Sequence, residues 1–273
     1  MSDKKIVLIT GASSGIGKEA AQLLAQKGLK VYGAARSVEK MKELIPFGID
    51  VLPLDVTDEK SVESCIKTII EKEGRIDILV NNAGYGSFGP VEVVPIEEAR
   101  RQFEVNLFGL GLMIQQVLPF MRAQKNGRII NISSMAAYFS EPNGGWYHAT
   151  KAALERYSDS LRMEVKPFGI DVVLIQPGMI FTEWQNIAHD NLLETSKGTI
   201  YQPMAEKQAE GMNMMYKYAS KPTVIAKTIL KASTAKHPCA RYKKGRFSKL
   251  LSFLSAVTPT RLFDYLMYKS MNS

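Results

Sequence analysis

The chain has 273 residues, of which 45% are hydrophobic and 23% charged, a balance typical of a globular protein with one large core. No stretch approaches about 18 uncharged apolar residues, so we expect no membrane-spanning helix. The net charge of +8 lies almost entirely in residues 236–273, which carry eight Lys or Arg and one acid. The preceding 235 residues carry 27 basic and 26 acidic groups. This nearly neutral body is unlike the basic body of a nucleic-acid binder.

Short apolar runs, rich in β-branched residues, alternate along the chain with longer segments of helical period. Such runs are typical of buried strands in a parallel sheet that helices cover on both faces. We therefore predict a single-domain, doubly wound α/β fold whose ligands bind at the edge formed by the strand C-terminal ends. The predicted strands are Ile6 to Thr10, Lys30 to Ala35, Val51 to Leu54, Ile78 to Val80, Arg128 to Ile132 and Asp171 to Ile175.

A glycine-rich loop, Thr10-Gly11-Ala12-Ser13-Ser14-Gly15-Ile16-Gly17, follows the first predicted strand and opens a predicted helix, Lys18 to Gln26, that Gly28 closes. Glycine is needed where the backbone turns sharply and where a side chain would keep a pyrophosphate away from a helix N-terminus. At the first strand–turn–helix of an α/β chain, this loop predicts a dinucleotide site. The alternative is a glycine-rich turn without a ligand.

The end of the second strand predicts which dinucleotide is preferred. A Rossmann-type site that prefers NAD normally carries an acid there, but this chain has Ala34-Ala35-Arg36-Ser37. Because a guanidinium suits the 2′-phosphate of NADP, we expect NADP(H) to be preferred, with NAD(H) not excluded; a solvated Arg36 is the alternative. After the third strand, Asp55-Val56 either offers a carboxylate to the adenine amino group or caps the helix expected from Glu59 onward.

Tyr147 and Lys151 lie one helical turn apart, so their side chains share a helix face. At ~4 Å and an effective dielectric of ~20, an ammonium attracts a phenolate by about 4 kcal/mol. As an upper limit, that attraction would lower the phenol pKa from ~10 to roughly 7, where acid/base catalysis is efficient. The spacing alone is weak evidence, because Tyr265 and Lys269 repeat it. Context favours the first pair, since Ser134 lies thirteen residues before Tyr147.

Together these motifs make the chain similar to the classical short-chain dehydrogenase/reductases. The resemblance covers about residues 5 to 182 closely, and the remainder in length and general pattern. The matching motifs, in order and at family spacing, are Thr10-Gly11-x-x-x-Gly15-x-Gly17, Asn81-Asn82-Ala83-Gly84, Asn106, Ser134, Tyr147-x-x-x-Lys151, and Pro177-Gly178 with Thr182.

The resemblance implies a catalytic tetrad of Asn106, Ser134, Tyr147 and Lys151. Tyr147 would exchange a proton with the substrate oxygen while the nicotinamide carries the hydride, and Lys151 would lower the phenol pKa and hold the nicotinamide ribose. Ser134 would stabilise the developing negative charge. Asn106 would hold a proton-relaying water, a role that no feature of the sequence itself indicates. The expected cofactor contacts are Thr10, Gly11, Ser13, Ser14, Gly15, Ile16, Gly17, Arg36, Ser37, Asp55, Val56, Asn82, Ala83, Gly84, Pro177, Gly178 and Thr182.

Two segments depart from the strand–helix alternation. Residues 182–221, rich in polar residues and methionine, are expected to form a mobile substrate loop, with the methionines either lining an adaptable pocket or filling the inner face of one helix. In the basic extension, about residues 241–273, Arg246 to Val257 places apolar residues on one helical face and Lys249 with two serines on the other. Thr258-Pro259 then starts a second helix, ending in Lys269. We expect this pair to be a lid, a subunit interface or a membrane-surface contact.

We therefore expect an NADP(H)-dependent oxidoreductase that interconverts a largely apolar ketone and a secondary alcohol. Within the family, the long tail and Ala240-Arg241-Tyr242 look most like the branch that acts on steroids, retinoids and lipid-derived ketones. The alternatives are a dinucleotide-sensing or scaffold protein without catalysis, and a membrane-surface lipid-ketone reductase.

Cysteine usage and the family resemblance complete these expectations. Cys65 and Cys239 have neither metal-ligand nor disulfide spacing, so we expect no metal site and a reducing, cytoplasmic setting, with contact to a membrane surface through the basic tail as an open alternative. The resemblance further implies a homodimer or homotetramer that acts on a small-molecule carbonyl or alcohol substrate. No nucleic-acid partner is expected.

Overall fold

Seven parallel strands form a single sheet in the computed structural model, which describes residues 4–272, and their side chains as far as residue 269. The order across the sheet is β3-β2-β1-β4-β5-β6-β7. Six strands lie where the apolar runs predict them, with ends within two residues of the prediction. The strands are β1 Ile6–Thr10, β2 Lys30–Ala35, β3 Asp50–Pro53, β4 Ile78–Asn81, β5 Gly127–Ile132, β6 Ile170–Pro177 and β7 Arg241–Lys244.

Helices cover both faces of this sheet. They are α1 Gly15–Gln26, α2 Val38–Met41, α3 Glu59–Glu73, α4 Ile96–Phe103, α5 Gly109–Ala123, α6 Gly145–Val165, α7 Trp184–Ser196, α8 Gln202–Tyr216, α9 Thr223–Thr234, α10 Ser248–Val257 and α11 Thr260–Asn272. Helices α1 and α9 pack together on one face, and α3, α5 and α6 cover the other. The chain therefore has the doubly wound, single-domain α/β fold that the sequence predicts.

The sheet is buried because apolar side chains occupy both of its faces. Val7 and Ile9 of β1 pack into the α1–α9 layer, whereas Ile6 and Leu8 pack into the layer of α3 and α5. This alternation follows from the strand pleat. Because each fully buried side chain of this size contributes about 1.5–3 kcal/mol, the core fixes the register of the strands and hence the position of their C-terminal ends.

The strand order reverses at β1, which lies between β2 and β4. At such a reversal the following loops leave the sheet in opposite directions and open a crevice between them. The glycine-rich loop after β1 and the Asn82–Gly84 segment after β4 face this crevice, so the fold itself creates the predicted binding site.

The seventh strand was not predicted from the sequence. β7 pairs in parallel with β6 at the sheet edge, and only Tyr242 of its four residues is buried. With three charged residues, β7 lacks the apolar run that marks the other strands. Pairing with β6 places the beginning of the tail beside the crevice.

The two predicted tail helices are present as α10 and α11. The residue before α10, Phe247, has a left-handed backbone (φ 63°), a conformation that is costly for a bulky side chain. Helix α10 packs against β7 and the short 3₁₀ turn Met135–Ala137, while α11 packs against α8. Residues 182–221 contain a helical hairpin, α7 and α8.

One helical stretch, Ile96–Ala123, is long and apolar enough to cross a membrane by length and composition. It comprises α4, a π-helical turn (Glu104–Phe108) and α5. Met113, Ile114 and Val117 of α5 are fully buried in the core beside the sheet. Packing in this core accounts for the apolar composition of the stretch.

Candidate active site

A single cleft runs along the C-terminal edge of the sheet, from the glycine-rich loop to the tail helices, with a volume of about 1950 Å³. A pocket for one drug-sized ligand has about 300–1,000 Å³, so this cleft has room for a dinucleotide and a second molecule. Ser134, Tyr147 and Lys151 line it. The predicted cofactor residues on its wall are Gly11, Ser13, Ser14, Gly15, Ile16, Arg36, Ser37, Asp55, Val56, Asn82, Ala83, Gly84, Pro177, Gly178 and Thr182.

The glycine-rich loop needs its glycines for two different reasons. Gly11 (φ +67°) and Gly15 (φ +53°) adopt left-handed backbone conformations, which strain other residues. Gly17 is needed for space, since a Cβ there would lie 2.3 Å from the carbonyl oxygen of Gly11. At the start of α1, Ser14 makes no side-chain capping bond. The first amides of the helix are therefore left for an anion such as a pyrophosphate.

Thr10 and Gly17 do not line the cleft but lie behind its wall, and their contact with a cofactor stays a prediction. Thr10 is 1% exposed, and its Oγ1 accepts hydrogen bonds from the amides of Asn82 and Ala83, both at 3.0 Å. Asn82 Nδ2 in turn donates to the carbonyl oxygens of Thr10 and Gly11 at 3.0 and 3.1 Å. These hydrogen bonds join the end of β1 to the segment after β4 and so fix the shape of the crevice.

Arg36 is exposed at the far end of this crevice, near Asp55. Burial tends to raise the pKa of Asp55, but hydrogen bonds from Thr57 and the charges of Arg36 and Arg101 outweigh it and lower the pKa. Asp58, not Asp55, caps α3 by accepting bonds from two amides of its first turn. The capping alternative for Asp55 is therefore wrong. Arg101, a second cation on this wall, carries no motif in the sequence and was missed.

Tyr147 is buried (8% exposed), and that burial dominates its chemistry. Burial raises the pKa of Tyr147 to about 12, against the lowering effect of a hydrogen bond with the Ser134 side chain. Lys151 Nζ donates to the Ile132 carbonyl at 3.1 Å and lies 5.9 Å from the centre of the Tyr147 ring. Burial lowers the pKa of Lys151 to about 8. The expected phenol pKa near 7 was wrong, because it counted the attraction between the two groups without the desolvation of either.

Asn106 is buried (1% exposed) in the π-helical turn and does not line the cleft. Its Oδ1 accepts from the Tyr85 amide at 3.0 Å, and its Nδ2 donates to the Tyr85 carbonyl at 2.9 Å and to Thr150 Oγ1 at 3.2 Å. A Cβ on Gly84 would lie 2.9 Å from Asn106 Oδ1 and 3.8 Å from Lys151 Nζ. Asn106 thus holds the loop after β4 beside Lys151; its role in a proton relay stays a prediction.

Aromatic rings surround Tyr147. The ring of Trp184 lies 5.1 Å from that of Tyr147, and Phe88 lies 5.7 Å from Tyr147 and 6.0 Å from Trp184. Such contacts give the reacting end of the cleft an apolar wall. Trp184 was missed in the sequence because the first residue of a polar helix after Thr182 carries no pattern.

His148 supports the neighbouring loop. Its Nδ1 lies 2.9 Å and 2.6 Å from the carbonyl oxygens of Ala136 and Phe139, so it anchors the segment that follows Ser134. Burial tends to lower the pKa of His148, but a nearby carboxylate, that of Glu141, and these two carbonyls outweigh it and raise the pKa. The Glu141 charge also adds to the raised pKa of Tyr147.

A buried carboxylate connects helix α6 to the tail. Glu155, one turn after Lys151 on α6, is 4% exposed. It accepts hydrogen bonds from Gln176 Nε2 at 2.9 Å and Arg241 Nε at 3.0 Å, and Arg241 also pairs with Asp159 at 2.6 Å. The Glu155 charge tends to raise the pKa of Lys151 against the effect of burial. These bonds hold strand β7 against the helix that carries Tyr147 and Lys151.

Gly178 and Thr182, after β6, close the cleft on the tail side. A Cβ on Gly178 would lie 1.9 Å from the carbonyl oxygen of Arg246, so the tail backbone lies directly against this glycine. Thr182 lies over Gly15, whose Cβ would be 3.2 Å from Thr182 Cγ2. Glycine is therefore required at position 178 by the close packing of the tail backbone, which the motif alone did not reveal.

The far end of the cleft is apolar and is built from the substrate hairpin and the tail. Three methionines of α8 line it, whereas Met204 does not, so the pocket-lining alternative is confirmed for most of them. The tail lies over the cleft, as the lid alternative predicts. The hairpin also contributes polar side chains, among them Glu194, Lys207 and Glu210. The apolar residues contributed by the two segments include Met212, Met214, Met215, Phe247, Leu250, Leu251, Leu254, Phe263, Leu266 and Met267.

The chain is similar to known dehydrogenases over most of its length. A family model described as short chain dehydrogenase matches residues 5–192, a range that contains every predicted site residue. The chain is 38% identical over 250 residues to 3-ketodihydrosphingosine reductase of Bacteroides thetaiotaomicron, with 90% of each chain covered. It is 33% identical over 277 residues to NADPH-dependent 3-dehydrocapnine reductase of Ornithobacterium rhinotracheale, covering 98% of this chain and 97% of the relative.

Solved structures share the whole architecture. A short-chain dehydrogenase from Streptomyces avermitilis superimposes with a TM-score of 0.81 at 29% identity, with both chains fully covered. A serine dehydrogenase in its closed form, in complex with NADP+, gives a TM-score of 0.76 at 27% identity, with 89% of this chain and 95% of the other covered.

Proposed function

This chain belongs to the short-chain dehydrogenase family of oxidoreductases, and from that premise we propose that it uses NADPH to reduce the keto group of a long-chain lipid ketone. The observation that carries the proposal is the continuity of one cleft. Its first part is a glycine-lined crevice, its middle holds Ser134, Tyr147 and Lys151, and its far end is walled by apolar side chains of α8, α10 and α11.

Two features support NADP(H) as the cofactor. Arg36 at the end of β2 offers a cation for a 2′-phosphate, and the charges of Arg36 and Arg101 help to lower the pKa of the neighbouring carboxylate, Asp55, which follows β3. One relative is described as NADPH-dependent, and one structural neighbour contains NADP+. The glycine-rich loop and the uncapped start of α1 would hold the pyrophosphate.

The substrate class is inferred from the apolar end of the cleft. Methionine and leucine side chains adapt to a flexible hydrocarbon chain without offering polar partners. Two relatives that cover nearly the full chain are named for 3-ketodihydrosphingosine and 3-dehydrocapnine. A ketone with a long alkyl chain fits both observations, with its carbonyl at Tyr147 and its chain toward α10.

Each polar group near Tyr147 has a role in such a reduction. The bound dinucleotide supplies the hydride. Tyr147 gives its proton to the carbonyl oxygen as negative charge develops there, and Ser134 hydrogen-bonds the same oxygen. A pKa of about 12 keeps the Tyr147 phenol protonated at neutral pH, as a proton donor requires. Lys151, with a pKa of about 8, is mostly charged at pH 7 and stabilises the phenolate left behind.

The proposal is tested by following NADPH absorbance with the full chain and a series of ketones of increasing alkyl length. We expect kcat/KM to rise with chain length, and Tyr147→Phe to lower kcat by about 10²–10⁴-fold while NADPH binding, followed by its fluorescence, is retained. NADPH binding without turnover of any ketone would indicate a sensing protein instead. Turnover by Tyr147→Phe close to that of the wild type would contradict the assignment of Tyr147 as the proton donor.

A further inference from the structure

Helix α10 is oriented with its polar face inward. Ser248 and Ser252 are 0% and 2% exposed. Ser248 Oγ donates to the Gln176 carbonyl at 2.8 Å, and Ser252 Oγ donates to the Ser248 carbonyl at 2.6 Å. An amphipathic helix of a globular protein normally buries its apolar stripe. Here the hydroxyl groups are satisfied locally against β6, and the apolar stripe is left to face the cleft and the surroundings.

Four large side chains of the two tail helices form what we call the outer apolar face: Phe253 and Val257 on α10, and Leu262 and Tyr265 on α11. Their exposed fractions are 62%, 59%, 49% and 58%, and none of them lines the cleft. Single exposed apolar residues are common, but a contiguous group on two adjoining helices marks a contact surface.

Basic residues accompany this face. Lys249 lies one helical turn before Phe253, and Arg261 one turn before Tyr265; these two cations and Lys244 of β7 are exposed, and Asp264 is the only acidic residue from position 236 onward. An apolar face flanked by cations and poor in acids is complementary to a membrane surface that contains anionic lipid. The rest of the chain, with 27 basic and 26 acidic groups, offers no comparable attraction.

The length of the helices decides how they meet a membrane. Helix α10 has 10 residues and α11 has 13, so they measure about 15 and 20 Å. A hydrocarbon core of about 30 Å is out of reach for either helix. A helix of this kind lies in the plane of the interface, with its apolar side chains below the headgroups.

The outer apolar face continues into the cleft. Leu250 and Leu254 of α10, and Leu266 and Met267 of α11, are part of the apolar end of the cleft. Leu250, Leu254 and Leu266 are also exposed (53%, 38% and 50%), so the hairpin presents apolar side chains both to the cleft and to the surroundings. A lipid chain that leaves the bilayer beside it would enter the cleft without crossing open water.

We propose that the α10–α11 hairpin docks this protein in the surface of an anionic bilayer and opens the apolar end of its cleft to the lipid phase. The docking step depends only on the outer apolar face and its cations. The delivery of a lipid ketone through the hairpin rests, in addition, on the proposed reductase function.

Docking is tested by co-sedimentation of the full chain with phosphatidylcholine vesicles, prepared with and without phosphatidylserine, in the absence of NADPH and ketone. We expect binding to the anionic vesicles that weakens with added salt. The double variant Phe253→Ser/Val257→Ser should lower the partition coefficient by about tenfold or more. Lys249→Gln/Arg261→Gln should weaken binding to anionic vesicles and leave binding to neutral ones unchanged.

Matched controls use exposed residues elsewhere on the molecule. Met163→Ser/Phe168→Ser removes two exposed apolar side chains (68% and 41%) beyond the outer apolar face, and Lys27→Gln/Lys40→Gln removes two exposed cations. Neither pair should change vesicle binding. Turnover of a water-soluble, short-chain ketone should be the same in Phe253→Ser/Val257→Ser and the wild type, which shows that the variant is folded and separates docking from catalysis.

Results from either of two experiments would overturn the proposal. One is the absence of binding of the full chain to phosphatidylserine vesicles, or binding that the Phe253→Ser/Val257→Ser variant retains. The other is a change of oligomeric state, measured by sedimentation velocity without vesicles, that the same double variant causes; the outer apolar face would then be a contact between two copies of the chain. Vesicle binding without any ketone turnover would support docking and count against the reductase function alone.

Discussion

At the residue scale, burial sets the pKa values of Tyr147 and Lys151 more than the distance between the two groups does. The four-residue spacing of Tyr147 and Lys151 correctly predicts that both lie on one wall of the cleft. It does not predict that both are desolvated, which raises the pKa of one and lowers the pKa of the other. Desolvation depends on residues brought from elsewhere in the chain, such as Phe88 and Trp184, so no local pattern reveals it.

Burial of Lys151 predicts a dependence of stability on pH. The folded-state pKa is about 8 against 10.5 when unfolded, so between these values the unfolded chain binds more protons and stability rises with pH, by about 3 kcal/mol in total. Lys151→Met removes that cost but leaves the Ile132 carbonyl without its donor. We expect the free energy of unfolding of Lys151→Met at pH 7 to be about 2 kcal/mol higher than that of the wild type.

Urea unfolding of both proteins at several pH values between 7 and 10.5 checks this prediction. The difference between variant and wild type should shrink as the pH rises through the window, because the wild type then folds with a neutral Lys151. A difference that stays constant across the window would contradict the assigned burial of a charge.

Arg36 gives a prediction about cofactor choice. A guanidinium that binds a 2′-phosphate through charge-assisted hydrogen bonds contributes about 1.5–3 kcal/mol. Arg36→Ala should therefore raise the Kd for NADPH by roughly 10- to 100-fold and the Kd for NADH little. Fluorescence titration with each dinucleotide measures both values, with Lys40→Ala as a control on an exposed cation of α2. Equal losses for NADPH and NADH would leave Arg36 without a role in selectivity.

At the element scale, the sequence indicates six of the seven strands because each is a run of apolar residues that must be buried. The sequence does not indicate β7, because its residues are Arg-Tyr-Lys-Lys and the strand it pairs with is distant in the chain. The sequence also does not indicate which face of α10 is buried. Periodicity correctly separates a serine side from a leucine side, but which side turns inward is decided by contacts with β6 and by the cleft that the leucines line.

The link between β7 and α6 predicts a coupled loss of stability. Arg241→Met leaves the buried Glu155 without its cation, and we expect the free energy of unfolding to fall by about 2 kcal/mol. Arg156→Met, which removes a guanidinium with 85% of its side chain exposed beside the same Asp159, should change it by less than about 1 kcal/mol.

A double-mutant cycle separates this coupling from general damage. Glu155→Gln/Arg241→Met should cost clearly less than the sum of the two single variants, because the uncompensated charge is gone. Urea unfolding of the four proteins provides the comparison. Additive costs would mean that the two side chains do not act as a pair.

At the scale of the whole molecule, the continuous cleft connects the cofactor loop at the beginning of the chain with helices at its end. The family motifs locate the first two parts of this cleft, but its apolar end is made by segments that the motifs do not cover. From its sequence alone, the tail could be a lid, a subunit interface or a membrane contact. The structure adds that one side of the tail lines the cleft.

This arrangement predicts a substitution that discriminates substrates by length. Leu254→Trp narrows the apolar end of the cleft and should lower kcat/KM for a long-chain ketone by about tenfold or more, while a short ketone is reduced at nearly the wild-type rate. Val257→Trp, placed on the outer apolar face, should leave both rates unchanged in detergent solution. Steady-state rates with the two ketones test this; a loss that is equal for both lengths would place the alkyl chain elsewhere.

The close approach of Gly178 to the Arg246 carbonyl has a practical consequence for exchanging parts between relatives. Because the backbone after β7 lies against the end of β6 with no space for even a methyl group, a chimera joined after Lys244 would bring together two surfaces that were never selected to fit. A junction in the exposed turn between α9 and β7, near His237, would transfer β7, both tail helices and the segment that touches Gly178 as one unit. Under the proposed function, swapping that unit between two relatives should transfer the preference for ketone chain length along with it.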